Sequence, residues 1–385
     1  MEVIKNRYDF VFLFDVKDGN PNGDPDFDNM PRIDEETNQG LVTDVCVKRK
    51  VRNYIHLLKG LESPYDIFIR EGNILNPLIR EKREMADMVN SDEKKALESG
   101  RNAMCAQYYD IRTFGAVMST GDDRADDGNS DENGKKQKTK KKFKGLGVVR
   151  GPVQLTFARS IDPVFSKSHS ITRCCVTKES DAQDKDNTFG NKNTISYGLY
   201  RMHGFISATD AAKTGFTEDD KNLLFEALVN AFENDRAAAR GEMNPRALIV
   251  FKHDSPLGNA RAGQLFDLVR VRLKEGVEFP RSFDDYEVKR PSKEDLKNSY
   301  SGVTIEEPAA GRFVLGSGAY GVGGAAFVQP GRAAFVPPQV RAAGGKMGSS
   351  LRTGPAAGLR LYSHRKRLRP AGYLQCGCPG LDADD

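Results

Sequence analysis

The chain has 385 residues, enough for two ordinary domains or one elaborated domain. It contains no run of eighteen apolar residues and begins without the apolar core of a signal peptide, so the sequence predicts neither a membrane span nor secretion. The formal net charge is +4, but residues 308–385 hold ten Lys and Arg against three Asp, which leaves about −3 for residues 1–307, so an argument for nucleic acid depends on local patches.

The six cysteines show no C-x-x-C spacing of the kind that indicates a zinc knuckle or a redox site. They are Cys46, Cys105, Cys174, Cys175, Cys376 and Cys378. A disulfide framework is not expected at this chain length. We therefore interpret them as reduced thiols of a cytosolic protein.

The first predicted element is a strand at 8–16, rich in Phe and Val. It leads into a loop crowded with Gly, Pro, Asn and Asp, and the loop ends at a predicted helix over 44–59, with Thr43 as the N-cap and Gly60 past its end. One apolar stripe runs along this helix, formed by Val47, Val51, Tyr54, Ile55 and Leu58.

Four further elements follow: strands at 148–158 and 195–207, a helix at 218–234 that begins with a capping box of Thr217 and Asp220, and a strand at 246–252. The order β-α-β-β-α-β is that of the ferredoxin-like, RRM-type arrangement. The sequence thus predicts an α+β fold with an open antiparallel sheet and two helices on one face.

Two long excursions divide this arrangement into regions. Residues 1–60 form its first half, 61–147 an insertion, and 148–307 the remainder with a second excursion at 159–194. Inside the insertion, residues 119–145 place six acids and one Arg before seven lysines. We interpret this stretch as a disordered surface loop. The alternative is a lysine-rich flap that orders on RNA or DNA.

Residues 308–385 are rich in Gly, Ala, Arg, Pro and Val, contain no Ile, Asn or Glu, and lack hydrophobic periodicity. These are the amino acids of GC-rich codons, so we interpret the segment as a low-complexity tail that is disordered or read in the wrong frame. Sequencing the gene across codon 308 tests the second possibility. A genuine basic extension is the alternative.

The predicted helix at 44–59 carries a cluster of cations beside its apolar stripe. Lys48, Arg49 and Arg52 would share one exposed face with His56. Guanidinium groups fork onto phosphate oxygens and Lys supplies point charge, so this face is a candidate for binding nucleic acid. An ordinary solvated helix face is the alternative.

The acids of the preceding loop are Asp15, Asp18, Asp24, Asp26 and Asp28. Their spacing does not match an EF-hand, because prolines interrupt it and no distal Glu follows. Gly and the Asn/Pro pairs favour tight turns that redirect the chain. We therefore prefer turn chemistry to a metal site.

Weaker basic signals are scattered further along the chain. They are Arg112 in "DIRTFGAVM", Arg159, Lys167, His169 and Arg173 in residues 151–173, and Arg236, Arg240 and Arg246 in "DRAAARGEMNPR". A buried or paired Arg is the default interpretation for any one of them. No P-loop, G-x-S-x-G or H-E-x-x-H motif is present, and no histidines show ligand spacing.

Five collinear blocks resemble a known family. They are "DVKDGNPNGDPDFDNMPRID", "GLVTDVCVKRKVRNYI", "DIRTFGAVM", "GPVQLTFARSIDPV" with "HSITR", and "DRAAARGEM". Together they resemble the repeated RNA-binding backbone subunit of type I CRISPR Cascade surveillance complexes, with subtype I-C the nearest match. The resemblance covers residues 1–307 and not 308–385.

The resemblance implies an RRM-like palm with inserted finger and thumb elements, in which 61–147 is the finger region and 159–194 the thumb-like excursion. Several copies would polymerise along one CRISPR RNA and present it for pairing with invading DNA. They would contact other Cascade subunits in the cytoplasm of a prokaryotic cell. The family's type I members are not nucleases, so the resemblance implies no catalytic residue, cofactor or metal.

The resemblance also ranks the candidate site residues. Lys48, Arg49 and Arg52 match the family's RNA-gripping helix. The second-rank candidates for RNA contacts are Arg112, Arg159, His169, Arg173, Arg236 and Arg240. The loop residues Asn20, Asn22 and Asp24 are expected to contact the next subunit.

Two other functions stay open on the sequence. Related type III subunits carry a catalytic Asp after the first strand, so a metal-dependent ribonuclease using loop 15–28 is the main alternative. We predict that Asp15, Asp18 and Asp24 are not catalytic, because the resemblance is to the DNA-targeting class. A free-standing RRM-like RNA chaperone is weaker, because "VQLTFARS" offers only Phe157 where an RRM usually has paired aromatics.

Overall fold

A computed structural model describes residues 2–119, 145–175 and 188–306. Over these residues the elements follow in the order β1 (Tyr8–Gly19), β2 (Gly23–Asp24), β3 (Met30–Pro31), β4 (Gln39–Val42), α1 (Asp44–Lys59), α2 (Leu75–Val89), α3 (Glu93–Gln107), α4 (Tyr109–Phe114), β5 (Gly115–Met118), β6 (Gly147–Arg150), β7 (Val153–Leu155), β8 (Ala158–Pro163), β9 (Ser166–Arg173), β10 (Thr188–Ile206), α5 (Ala208–Thr214), α6 (Glu218–Asn230), β11 (Glu242–His253), α7 (Ala262–Asp267), β12 (Arg270–Leu273), β13 (Tyr286–Lys289), α8 (Lys293–Ser299) and β14 (Val303–Glu306). None of the helices in these ranges has the length and apolar character that crossing a membrane requires.

The central sheet has the strand order β14-β11-β1-β10-β8-β4, and β7 and β9 also pair with β10. All of these pairs are antiparallel. The long strands β10 and β11 flank β1 along most of its length. The predicted α+β class with a central antiparallel sheet is confirmed.

Strand β1 is buried on both faces, which explains its nearly continuous apolar sequence. Phe10, Phe12 and Phe14 point into one core cluster, whereas Val11 and Leu13 point into another. Because alternate residues of a strand face opposite sides of the sheet, a strand covered on both sides needs apolar residues at almost every position.

Helices α1 and α6 cover the first of these faces, as the sequence predicted. Val47, Val51 and Ile55 of α1 are buried in the same cluster as Phe10. The C-terminal end of the predicted stripe is wrong, because Leu58 is 46% exposed. The last turn of the helix therefore lacks the cover that buries Val47, Val51 and Ile55.

The second face is covered by α7, the β12–β13 hairpin and α8, a segment to which the sequence assigned no elements. Its buried residues join Val11 and Leu13 in one cluster and include Leu265, Phe266, Val269, Tyr286 and Leu296. The central sheet is therefore covered by chain on both sides, rather than by two helices on one.

The insertion after α1 has a hydrophobic core of its own. Helices α2, α3 and α4 and the β5–β6 hairpin enclose Phe68, Ile79, Met104, Ile111 and Leu146. Helix α4 is buried along its whole length and joins this cluster to the main core. The insertion is thus packed onto the central sheet through α4.

The strand predicted at 148–158 is instead three short strands. β6 pairs with β5, whereas β7 and β8 pair with β10. The break between β6 and β7 falls at Gly151 and Pro152, where proline has no backbone N–H for a sheet and a Cβ on Gly151 would lie 2.3 Å from the backbone of Phe114. β10 also begins seven residues earlier than predicted, because it pairs with β9.

The charged loop and the tail lie outside the described residues, apart from Ser119 and Gly145 at the ends of the loop. Their interpretation as disordered, and the proposed frameshift after residue 307, stay predictions.

Candidate nucleic-acid interface

The loop after β1 is fastened to the N-terminus of α1. The Oδ1 atom of Asn22 accepts hydrogen bonds from the backbone N and the Oγ1 of Thr43, at 3.0 and 2.9 Å. The Oγ1 of Thr43 in turn accepts from the backbone N of Cys46 at 3.3 Å, which is the predicted N-cap. Nδ2 of Asn20 closes the loop by donating to O of Asn29 at 2.7 Å. These contacts set the direction in which α1 leaves the loop.

Asp15, the first acid of this region, is engaged in the interior. It is 1% exposed and accepts hydrogen bonds from the Tyr197 hydroxyl at 3.0 Å, from Nδ2 of Asn244 at 3.2 Å and from Nε of Arg246 at 2.7 Å. Burial and the neighbouring Asp15 charge raise the pKa of Tyr197. Asp15 therefore anchors β1 to β10 and β11 through side chains.

Of the remaining acids, Asp18 lies in β1, and Asp24, Asp26 and Asp28 lie in or beside a short 3-10 turn. Asp24 accepts from the backbone N of Asp26 at 3.2 Å and forms an ion pair with Arg32 at 2.9 Å. Asp18 and Asp28 have positive φ angles of 47° and 48°, the left-handed conformation that Asp tolerates better than most residues. Within the described ranges, no group of three or more His, Cys, Asp and Glu side chains is placed to hold a metal ion.

Two predicted cations of α1 lie over one aromatic ring. Nζ of Lys48 and Cζ of Arg52 are 5.6 and 5.4 Å from the centre of the Phe114 ring. Lys48 also pairs with Asp44 at 2.8 Å, and Arg52 pairs through Nε with Asp110 at 2.8 Å. Their side chains are only 14% and 12% exposed, so the prediction of a freely exposed face is wrong for these two.

Arg49 is the most accessible of the three, with 45% of its side chain exposed. It contacts Asn53 and Glu71 at 3.1 Å each.

On the other side of the helix, Lys50 is buried and forms an ion pair with Asp235. Arg240, a second-rank candidate, donates to the same Asp235 at 3.0 Å. Through Lys50, the buried side of α1 is thus joined to the loop after α6.

Arg112 is a buried structural cation in this chain. Its guanidinium donates twice to Asp220, at 2.9 Å each, and also to the backbone O of Cys105 at 2.7 Å and of Pro64 at 3.1 Å. Burial alone would lower the pKa of Arg112, but the hydrogen bond and charge of Asp220 outweigh it and raise that pKa. A phosphate could reach this group only by displacing these acceptors, and its predicted RNA contact stays untested.

His169 and Arg173 lie on a two-stranded ribbon formed by β9 and the first half of β10. Cross-strand partners in an antiparallel pair share one face, and the register sets His169 against Lys192 and Lys167 against Thr194. One face of the ribbon therefore carries Lys167, His169, Arg173 and Lys192. We call it the cationic ribbon face. Seven of the eight residues of β9 are exposed, so the β9 side of this face is open to solvent, whereas Lys192 on β10 is half-buried.

The other face of the ribbon carries no charge. It presents Ser166, Ser168, Ser170 and Thr172 on β9 and Phe189, Asn191, Asn193 and Ile195 on β10. Nδ2 of Asn193 donates to the backbone O of Asp28 at 3.1 Å, and a pocket of about 310 Å³ lies between this face and the loop after β1. The ribbon and the loop are thereby joined, and Asn20 lines the pocket.

The other two second-rank candidates are exposed and paired. Arg159 is 53% exposed and forms an ion pair with Asp34 at 2.5 Å, which lowers the pKa of that carboxyl group. Arg236 is 56% exposed and pairs with Glu233 at 2.6 Å. Exposed pairs of this kind contribute little to stability and can exchange partners with a ligand.

The sequence missed two residues of this interface. Lys192 was overlooked because the strand was predicted to begin only at 195, so its alternation with the β9 cations was not seen. Asp110 was overlooked because it contacts α1 across 58 positions, and no local pattern reports such a contact. Extending the period-two pattern back from 195 would have found Lys192.

The sequence match decides the family. The family model described as CRISPR-associated protein Cas7 matches residues 6–290. The chain belongs to this family. A CRISPR-associated protein Cas7 from Haloferax volcanii is 25% identical over 279 residues, which cover 69% of this chain and 75% of the relative. The predicted resemblance is confirmed at the level of the family, and the matched residues end before the tail.

Solved structures give weaker similarities. A chain of a CRISPR RNA-guided surveillance complex in a pre-nicking state is 12% identical with a TM-score of 0.38, covering 64% of this chain and 78% of that one. A chain of the type III-B Cmr-beta complex bound to cognate target RNA is 14% identical with a TM-score of 0.33, covering 64% and 61%. The family assignment depends on the sequence match.

Proposed function

We propose that this chain is a non-catalytic backbone subunit that binds CRISPR RNA through its phosphates in a type I-C Cascade complex. Copies would polymerise along one guide and present its bases for pairing with invading DNA. Other Cascade subunits would complete the complex in the prokaryotic cytoplasm. Membership of the family supports this assignment, and the surface chemistry below supports the mode of binding.

The observation that carries the proposal is the cationic ribbon face. Lys167, Arg173 and Lys192 bring three cationic side chains to one side of a solvent-open ribbon, with His169 among them. Phosphate contacts hold and orient a nucleic acid but carry no sequence information, which suits a protein that accepts any guide. Because the reverse face carries no charge, the ribbon attracts phosphate on one side only.

Helix α1 supplies the second proposed phosphate surface. Lys48 and Arg52 lie side by side over Phe114, and Arg49 is exposed beside them. Arg159, Arg236 and Arg240 are proposed as peripheral contacts that exchange a carboxylate partner for a phosphate. Arg112 has the weakest support because it is buried on Asp220.

The RRM-like palm is likewise a proposal. The order β11-β1-β10-β7 with α1 and α6 on one face supports it, because a ferredoxin-like sheet places its fourth strand beside the first. In this proposal the insertion after α1 is the finger and the β9–β10 ribbon is the thumb. Asn20, Asn22 and Asp24 are proposed to meet the next subunit, and Asn20 also lines the pocket.

The test is a binding and cleavage assay on labelled CRISPR RNA with Mg²⁺ or Mn²⁺ present. The proposal expects retarded RNA of full length, with the same affinity for guides of unrelated sequence. Shortened products that disappear in an Asp18→Ala or Asp24→Ala variant would support the ribonuclease alternative. Affinity that depends strongly on guide sequence would contradict phosphate recognition.

A further inference from the structure

Asp110 and Phe114 lie one helical turn apart on α4 and face the cations of α1. Asp110 is 1% exposed, and its Oδ2 accepts from Nε of Arg52 at 2.8 Å and from the backbone N of Ile69 at 3.0 Å. Its Oδ1 accepts from the backbone N of Phe68 at 2.8 Å. Three donors therefore fix this carboxylate, and it fixes the inner edge of the Arg52 guanidinium.

The ring of Phe114 supports the two cations without using their hydrogen-bond donors. Both Lys48 and Arg52 lie within 6 Å of its centre, the range of cation–π attraction. Phe114 is itself 8% exposed. A single buried ring thus restricts two long side chains that would otherwise sample many rotamers.

The outer edge of Arg52 stays available. Asp110 occupies Nε, no hydrogen bond joins Nη1 or Nη2 to a described residue, and 12% of the side chain is exposed. A guanidinium that is anchored at Nε presents its two terminal nitrogens in a fixed plane, which matches two oxygens of one phosphate. The geometry is that of a donor pair ordered before its ligand arrives.

The neighbouring residues of α4 explain why the helix holds this position. Arg112 points the other way and ties α4 to α6 through Asp220. Gly115 ends the helix with a φ of 78°, and a Cβ there would lie 2.3 Å from O of Val149. The chain can therefore turn into β5 immediately after Phe114 only with glycine at this position.

We propose that Asp110 and Phe114 are positioning residues that orient Arg52 and Lys48 for RNA phosphate. This inference rests on the proposed function, since it concerns how the α1 cations meet RNA. Neither residue touches the RNA in this account. Ordering the two cations in the free protein lowers the entropy lost on binding, which is the usual gain from preorganisation.

The test is the Phe114→Leu variant, which keeps an apolar side chain but removes the ring face. We expect RNA affinity to fall roughly fivefold to tenfold, because two long side chains must then be ordered on binding. The slope of log affinity against log salt concentration should also become shallower, by less than about one unit, even though the substitution removes no charge. Phe225→Leu is the control, since Phe225 is buried in the core and no cation of the described residues lies over its ring.

A double-mutant cycle separates positioning from folding. In a Lys48→Ala, Arg52→Ala background, Phe114→Leu should cause no further loss of affinity. Arg52→Lys, which keeps the charge but loses the guanidinium, should weaken binding several-fold, and it tests the same idea without altering the buried ring if Phe114→Leu does not fold. Phe114→Tyr, which keeps the ring, should retain the original salt slope.

Three results would overturn the inference. An equal loss from Phe114→Leu in both backgrounds, an equal loss from Phe225→Leu, or an unchanged affinity in Arg52→Lys would each assign Phe114 and Asp110 to folding alone. If the unmodified chain does not bind RNA at all, the proposed function itself fails and this inference fails with it.

Discussion

Helix α1 and the β9–β10 ribbon both gather cations, but they hold them differently. On α1, Lys48 and Arg52 are mostly covered and held by Asp44, Asp110 and the ring of Phe114. On the ribbon, the cations project from a pair of strands that has little protein around it. Helix α1 therefore offers fixed donors, whereas the ribbon offers charge that can adapt to its ligand.

The difference also concerns stability. Arg52 neutralises a buried carboxylate, so losing it leaves Asp110 without its cation. On the ribbon, Lys167 and Lys192 balance no buried charge that the structure describes. Substitutions on α1 should therefore change folding and binding together, whereas substitutions on the ribbon should change binding alone.

The largest loss of stability is expected at Arg112, a cation that belongs to neither surface. Arg112→Ala should lower the free energy of unfolding by about 3–5 kcal/mol, because it leaves the buried Asp220 unpaired. Arg159→Ala is the matched control at an exposed pair and should cost less than about 1 kcal/mol. Urea unfolding measures both. A stable Arg112→Ala protein with lost RNA affinity would instead place Arg112 in the binding surface.

The next effect tests the two surfaces against each other. Lys48→Ala with Arg52→Ala, and separately Lys167→Ala with Lys192→Ala, should each weaken RNA binding roughly tenfold to a hundredfold, because each of the two lost hydrogen bonds contributes about 0.5–1.5 kcal/mol net. Each lost phosphate contact should flatten the salt slope by about 0.7 on single-stranded RNA. Fluorescence anisotropy over a range of salt concentrations measures both quantities.

Two controls make this comparison specific. Ser168→Ala lies on the uncharged face of the same ribbon and should leave affinity unchanged. Lys289→Ala removes an exposed lysine from the β12–β13 hairpin, on the far side of the sheet, and should also have no effect. Only the α1 pair should lower the melting temperature. A ribbon pair that lowers it equally would contradict the contrast between the surfaces.

A smaller effect is expected from acidification, away from both surfaces. Burial and the nearby Arg201 lower the pKa of His203 to about 4, whereas an unfolded His titrates near 6.5. The unfolded chain therefore binds this proton first, so stability should fall as the pH drops from about 6.5 to about 4. His203→Gln should make that part of the pH profile shallower in thermal unfolding. An identical profile in the variant would assign the pH dependence to other groups.

The smallest effect is expected at the cap of α1. Asn22→Ala removes the acceptor of two Thr43 hydrogen bonds and should cost about 1 kcal/mol, the usual size for a helix-cap contact. The melting temperature should fall, whereas the affinity of a single protein copy for RNA should stay almost unchanged. A large loss of single-copy affinity would show that the loop itself contacts RNA.

The sequence predicted the elements whose signals are local. The N-cap at Thr43 and the stripe of Val47, Val51 and Ile55 depend on neighbours within one or two turns, and α1 was predicted with the bounds that the structure has. The capping box of Thr217 and Asp220 was also confirmed. In each case the same few residues carry both the pattern and the structure.

The rest depends on contacts between distant segments. Nothing near Arg112 indicates that Asp220, 108 positions away, takes up its guanidinium. The covering of the second sheet face by residues 262–305 depends on how short elements pack, and their sequences have weak periodicity. The cationic ribbon face depends on the register of β9 with β10, which appears only when both strands are paired.

The most direct test of the central claim is native mass spectrometry of the full chain with CRISPR RNAs of increasing length. If the chain is a backbone subunit that binds phosphate, it should form a ladder in which longer RNA adds whole copies at regular intervals. The ladder should be the same for unrelated guide sequences. Complexes that stay at one copy per RNA whatever its length would contradict the account.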